Sequence, residues 1–260
     1  MRRWRKAAAV LMAGALAVAA VSGCAKKQDP KEIYSAAMEK NSALDSVDMD
    51  VTMKMAMTAD EESMDMEVSS NTKMDQSDKE HVKFITASSV AMDGMNMETT
   101  VFYEDGYYYM EAMGQKMKYP MDLESLTAQI QESVGSTTLP VESLDTVEVK
   151  KDGDNQILTF TANPEKMNDY LGQVMGAMGD VSQVSGLNMT INSADGEYTI
   201  GKDGYYTDMN LDLSMESQGA SVGMILDITG TVHQPGQPVE ITLPDTADYV
   251  EIDPALLGAS

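Results

Sequence analysis

The chain has 260 residues, with 42 Asp+Glu against 18 Lys+Arg for a formal charge of −24, and a single cysteine. So acidic a chain excludes nucleic-acid binding through a basic patch, and one cysteine excludes an intramolecular disulfide or a multi-thiolate metal or redox site. Methionine reaches 24 residues against 3 Phe and 1 Trp, so the core must be built largely from Met, Val, Leu, Ile and Tyr.

The first segment is a leader. Arg2, Arg3, Arg5 and Lys6 precede an apolar run over residues 7–21. That run is shorter than the roughly 20 apolar residues that span a bilayer and suits the h-region of a signal peptide. It closes on Ser22-Gly23-Cys24, which resembles the lipobox of bacterial lipoproteins, with Val21 where that motif usually has Leu. The resemblance implies cleavage between Gly23 and Cys24 and a thioether diacylglycerol on Cys24. Two acyl chains give stable anchoring where one does not. The expected partner is therefore a membrane, reached through that lipid, and the expected location is the extracytoplasmic face of the bacterial cell membrane. The expected segments are a signal peptide over 1–23, a lipidated tether over 24–28, one folded domain over 29–253 and a tail over 254–260. Four of the 18 Lys+Arg leave with the leader while all 42 Asp+Glu stay, so the mature chain is more acidic still.

Asp29-Pro30-Lys31-Glu32 predicts a helix start, with Asp29 as cap, Pro30 at the first helical position and Glu32 placed for a capping box. Ile33, Ala36, Ala37 and Leu44 supply a modest apolar stripe on a helix ending near Ala43. Val47, Met49, Val51, Met53, Met55 and Met57 then alternate with polar or small residues, the period-two pattern of a strand with one apolar face. Further strands follow at Met64–Met74, Val82–Thr86, Met95–Tyr103 and, after an Asp105-Gly106 turn, one long strand over Tyr107–Met117. Met121–Val134 predicts a helix and Ser133–Pro140 a loop. A hairpin is expected around Asp152-Gly153-Asp154-Asn155. Asn163-Pro164 predicts a second capped helix, with Met167, Leu171, Val174 and Met178 on its apolar stripe. Glycines at 172, 176 and 179 thin that stripe and make the helix a candidate lid. Alternation resumes at Met189 and Ile191 and at Tyr198 and Ile200. Long strands are expected at Tyr205–Met215 and Val222–Val232, and a closing edge strand at Val239, Ile241 and Leu243. The turns Tyr103–Tyr108 and Gly201–Tyr206 echo each other, which leaves open two related half-sheets over 29–134 and 141–253.

The order of these elements, the Met alternation, the Asp-Gly-Tyr-Tyr turns and the closing Gln237-Pro238-Val239-Glu240-Ile241-Thr242-Leu243-Pro244 segment resemble a family of small lipoproteins of unknown function common in Gram-positive bacteria. Their architecture is similar to the lipoprotein-carrier fold of LolA and its LppX-type mycobacterial relatives. The resemblance implies an α+β fold: a strongly curved antiparallel sheet, an incomplete barrel, with helices covering its concave face. Such folds hold acyl chains between sheet and helices. It supplies no catalytic residue. The arginine that helps to hold LolA closed has no counterpart, because Arg2, Arg3 and Arg5, all in the leader, are the only arginines.

The candidate apolar ligand-lining residues are Met49, Val51, Met53, Met55, Met57, Met64, Met66, Met95 and Met97. Methionine is flexible and adapts to irregular partners, so such a face suits a lipid or other apolar ligand; an ordinary core under helices is the simpler expectation. Thioethers also suit Cu(I), but alternate residues of one strand stand about 6.6–6.8 Å apart and converge only if neighbouring strands cooperate, so copper is the weaker alternative. Asp60-Glu61-Glu62 and the 152–155 turn lack the full spacing of a calcium loop. No Gly-x-Ser-x-Gly, His-Glu-x-x-His or P-loop pattern occurs, and His81 and His233 are expected as exposed polar residues. The expected function is non-enzymatic binding or carriage of an apolar ligand with no cofactor or metal; the alternative is a structural lipoprotein of the envelope without a pocket.

Overall fold

The computed structural model describes residues 29–59, 62–127, 139–167, 189–217 and 222–253. Its first element is helix α1 (Pro30–Ser42), capped by the Asp29 carboxylate, which accepts from the Lys31 backbone N–H, with Pro30 at the helix start. Of the expected apolar stripe, Ile33, Ala37 and Leu44 turn inward and one position differs. Ala36 is exposed, whereas Tyr34, Ala37 and Asn41 are buried and Met38 packs beside them. Positions 34, 37, 38 and 41 follow the i, i+3, i+4, i+7 spacing of one helix face, so the large Tyr34 ring, amphipathic in type, sets which face turns inward.

Twelve strands follow among the described residues: β1 (Ser46–Ala59), β2 (Glu62–Asp75), β3 (Lys83–Met92), β4 (Met95–Glu104), β5 (Tyr107–Ala112), β6 (Gln115–Pro120), β7 (Leu144–Asp152), β8 (Asn155–Ala162), β9 (Met189–Ile200), β10 (Tyr206–Ser217), β11 (Val222–Val232) and β12 (Val250–Glu251). They form one curved, unclosed sheet in the order β12-β6-β5-β4-β3-β2-β1-β11-β10-β9-β8-β7, antiparallel except where β12 runs parallel to β6. The fold class is the expected one. The two meanders, β1–β6 and β7–β11, are welded by the β1–β11 ladder, which pairs Met49 with Val232 and Met57 with Met224.

Two expectations about strands are corrected, and the alternating stretches at 189–191 and 198–200 prove to be one strand. Residues 107–117 are two strands, because Met113 and Gly114 take φ of 50° and 75° and make a tight turn; methionine is a rare occupant of that left-handed region. Strand β9 runs unbroken through Gly196, over which the Phe160 ring lies so closely that a Cβ there would stand 2.2 Å from its Cζ. The closing strand is β12, not 239–243. Those residues cross the outer face instead, where Leu243 packs with Phe102, Tyr109 and Tyr249. Leu243 makes that contact without any strand pairing over 239–243.

The core of the described residues has three parts. The largest sits on the inner face of β7–β11 under α1, around Tyr34, Leu158, Phe160, Ile191, Tyr198, Met215 and Met224. Tyr34 meets Phe160 and Tyr198 edge-on at 6.0 and 5.7 Å, and its hydroxyl donates to the Leu139 carbonyl at 2.8 Å. Asn41 docks the end of α1 by pairing both ways with the Tyr206 backbone, at 3.0 and 2.9 Å. A second cluster joins Val82, Phe84, Tyr103 and Tyr108 to Leu123 and Leu126, which belong to a helical stretch at 123–127 where a helix is expected. The third lies on the outer face, where Tyr249 stands edge-on to the stacked Phe102–Tyr109 pair. Residues 164–167 are helical after Asn163-Pro164 and bury Met167.

Candidate functional site

The sheet sorts its side chains by charge. Strand alternation places Lys54, Lys73, Lys83, Lys116, Lys118 and Lys150 outside, along with Asp195, Glu197, Asp208, Asp212 and Asp227. Among the described residues of β1–β6 and β8–β11, the exposed Glu62 at the very start of β2 is the one charged residue at an inner position. A carboxylate or ammonium group further along that face would find no charged side chain to pair with. The inner face is thus fitted for neutral and apolar matter.

Its two ends are packed and its middle is more exposed. Toward β5 and β6, burial, followed by the neighbouring Tyr119 phenol, pushes the Tyr108 hydroxyl up to about 12, and burial raises Tyr119 as well. Under α1, burial raises the Tyr206 phenol. Between these ends lie Met53, Met64, Met66, Met92, Met95 and Met97, which belong to none of the three core clusters. Met64, Met95 and Met97 are 41%, 60% and 41% exposed. Val68 and Val90 face each other in the same field, and Ser70, Ser88 and Thr99 line up on β2, β3 and β4 as a short neutral hydroxyl row. Next to that row, Thr72 and Thr86 share a 2.9 Å hydrogen bond.

The nine candidate lining residues all fall on this inner face. Met55 and Met57 pack against the main core; Met49, Val51, Met53 and Met66 are half-buried, and Met64, Met95 and Met97 are exposed. Of the candidate lid, Met167 is buried in the main core, while Leu171, Val174 and Met178 lie outside the described residues. So do Gly23 and Cys24. Met92 is absent from the candidates, although it stands opposite both Met66 and Met95. Its signal was its place immediately before the Asp93-Gly94 turn, which fixes it on the same face as Met95. His81 and His233 are exposed, His233 resting 2.7 Å from Asp50.

The outer face carries an acidic groove that single-strand patterns conceal. Asp195, Asp212 and Asp227 stand opposite one another across β9, β10 and β11. With Glu148 and Glu197, the first two of these line an open groove of about 480 Å³. Like charges directly opposite are destabilising. Among the described residues no group of three or more His, Cys, Asp or Glu is arranged to hold a metal ion, and no helix is long and apolar enough to cross a membrane.

Fold and site together define a class: an open curved-sheet protein whose inner face is neutral and whose outer face is acidic. The chain belongs to a family of unknown function (DUF6612), whose model matches residues 29–249. No protein of curated function matches it. Among solved structures, LprF from Mycobacterium bovis is similar over 84% of this chain and 97% of its own, at 11% identity and a TM-score of 0.43. The lipoprotein LppX from Mycobacterium tuberculosis is similar over 82% and 98%, at 13% identity and a TM-score of 0.40. A LolA superfamily protein from Nitrosomonas europaea is similar over 82% and 94%, at 10% identity and a TM-score of 0.25.

Proposed function

We propose that this chain is exported, anchored to the outer side of the cell membrane through lipid on Cys24, and holds a lipid or other apolar ligand on the inner face of its sheet without transforming it. The observation that carries this reading is the field of methionines on β1–β4, uncharged, partly exposed and outside every core cluster. Each methylene removed from water there contributes about 0.8 kcal/mol, so ten methylenes of one acyl chain supply about 8 kcal/mol before the costs of ordering. The unbranched, flexible thioethers accommodate chains of differing length and unsaturation. Ser70, Ser88 and Thr99 give ester or hydroxyl groups of such a ligand hydrogen-bonding partners without charge. The leader supports the location, since its basic start, short apolar run and terminal cysteine fit a processed lipoprotein.

The test is native mass spectrometry of the protein purified from its own membrane. A recovered complex carrying one non-covalent lipid, in addition to the mass added at Cys24, is the expected result. Repeated recovery without a non-covalent ligand, together with a stable protein partner captured by crosslinking in cells, would favour a purely structural envelope role instead.

A further inference from the structure

We propose a second occupant of the same methionine field: Met66, Met92 and Met95 form a thioether site for a monovalent soft metal ion, Cu(I). Methionines two apart on one strand stand about 6.6–6.8 Å from each other and share a metal only with help from a neighbouring strand. Register supplies that help. Met66 on β2 stands directly opposite Met92 on β3, and Met92 stands directly opposite Met95 on β4. Directly opposed residues have Cβ atoms about 4.5–5.5 Å apart, and a methionine side chain with three rotatable bonds spans the rest of the way to a shared centre. The curvature of the sheet helps, because side chains on the inner side of a bent sheet lean toward one another. Met64 lies two residues before Met66 on the same face, and Met97 two residues after Met95.

The surroundings suit this ion and disfavour others. Thioether sulfur selects Cu(I), whereas divalent calcium, magnesium and manganese take oxygen ligands. The inner positions beside these three offer no carboxylate, imidazole or thiolate. Met95 is 60% exposed, which leaves a path for a metal ion or its carrier. The formal charge of −24 raises the local concentration of cations. Among the described residues, none of the three packs in a core cluster.

Anaerobic titration of the chain as cells process it, with Cu(I) supplied as its complex with a chromophoric chelator, tests the site. The expected result is withdrawal of one equivalent of Cu(I) from the chelator, with an X-ray absorption spectrum showing sulfur neighbours alone. A Met66→Leu/Met92→Leu/Met95→Leu variant keeps volume and apolarity and is expected to lose at least ten-fold in Cu(I) affinity. A Met110→Leu/Met117→Leu variant, changed on the same face at β5 and β6, is expected to bind as the wild type does. Circular dichroism and the thermal midpoint confirm that each variant is folded. Failure of the wild type to compete, equal binding by the triple variant, or nitrogen and oxygen neighbours in the spectrum would overturn the assignment. Lipid content is measured on the same samples, so the metal site and the lipid reading stand or fall separately.

Discussion

Gly196 and Gly230 are both places where a side chain lies over a bare backbone, yet they differ in what lies there. At Gly196 the neighbour is the Phe160 ring, only 2.2 Å from where a Cβ would stand and wedged between Tyr34 and Tyr198. At Gly230 it is the flexible Met209 side chain, with Cε at 2.8 Å and Cγ at 3.0 Å. A ring fixed on both sides cannot yield, whereas a methionine tip swings away. Gly196→Ala is therefore expected to cost about 1–3 kcal/mol by overpacking, and Gly230→Ala distinctly less. Urea denaturation measures both. In a Phe160→Leu background the cost of Gly196→Ala is expected to shrink, and an unchanged cost would show that the ring is not its source. Sequence alone hid this contact, because the ring comes from the neighbouring strand β8, where Phe160 stands opposite Gly196.

At the scale of elements, the alternation of β1 was legible because its inner side carries Val and Met alone from 47 to 57, opposite uncharged residues of β2 and β11. The first helix was legible at its cap, where Asp29 and Pro30 act locally, and less so along its face, where Tyr34 and Asn41 answer to distant strands. The C-terminal crossing was misread because contact with a sheet face and pairing in a sheet leave the same alternation. That crossing begins at a polar junction. His233 follows β11, its backbone N–H donates to the Asp48 carbonyl, and its ring sits 2.7 Å from the Asp50 carboxylate. Hydrogen bonds from His233 and then from Asn71 hold the Asp50 carboxyl below its ordinary value of 3.8. A carboxyl with a depressed folded-state pKa contributes stability above its unfolded value and loses it as pH falls through the folded one. Stability should thus decline as pH drops below 3.8, and Asp50→Asn should flatten that part of the acid limb. Carboxyl-carbon NMR checks the cause directly: in His233→Ala the Asp50 midpoint is expected to rise toward its ordinary value. A midpoint that stays put would remove His233 as the main cause.

For the whole molecule, the separation of charge explains how a chain this acidic keeps a nearly uncharged face. Apart from Glu62 on β2 and Lys151 on β7, the strands of the two meanders present uncharged side chains to one face, and the carboxylates, including the Asp195–Asp212–Asp227 row, collect on the other. This sidedness was legible as strand periodicity, and it placed the candidate lining residues on one face. The register between strands was not legible, because it depends on turn geometry such as the paired positive φ values at Asp93 and Gly94. That register is what brings Met92 between Met66 and Met95. The central claim, that the more exposed middle of the inner face holds an apolar ligand, is tested most directly by methyl NMR of protein labelled with carbon-13 at the methionine methyls. On addition of a neutral phospholipid analogue, shifts and ligand contacts are expected at Met53, Met66, Met92, Met95 and Met97, while the turn residue Met113, 81% exposed, stays unchanged. An unchanged inner set, or shifts at Met113 alone, would contradict the account.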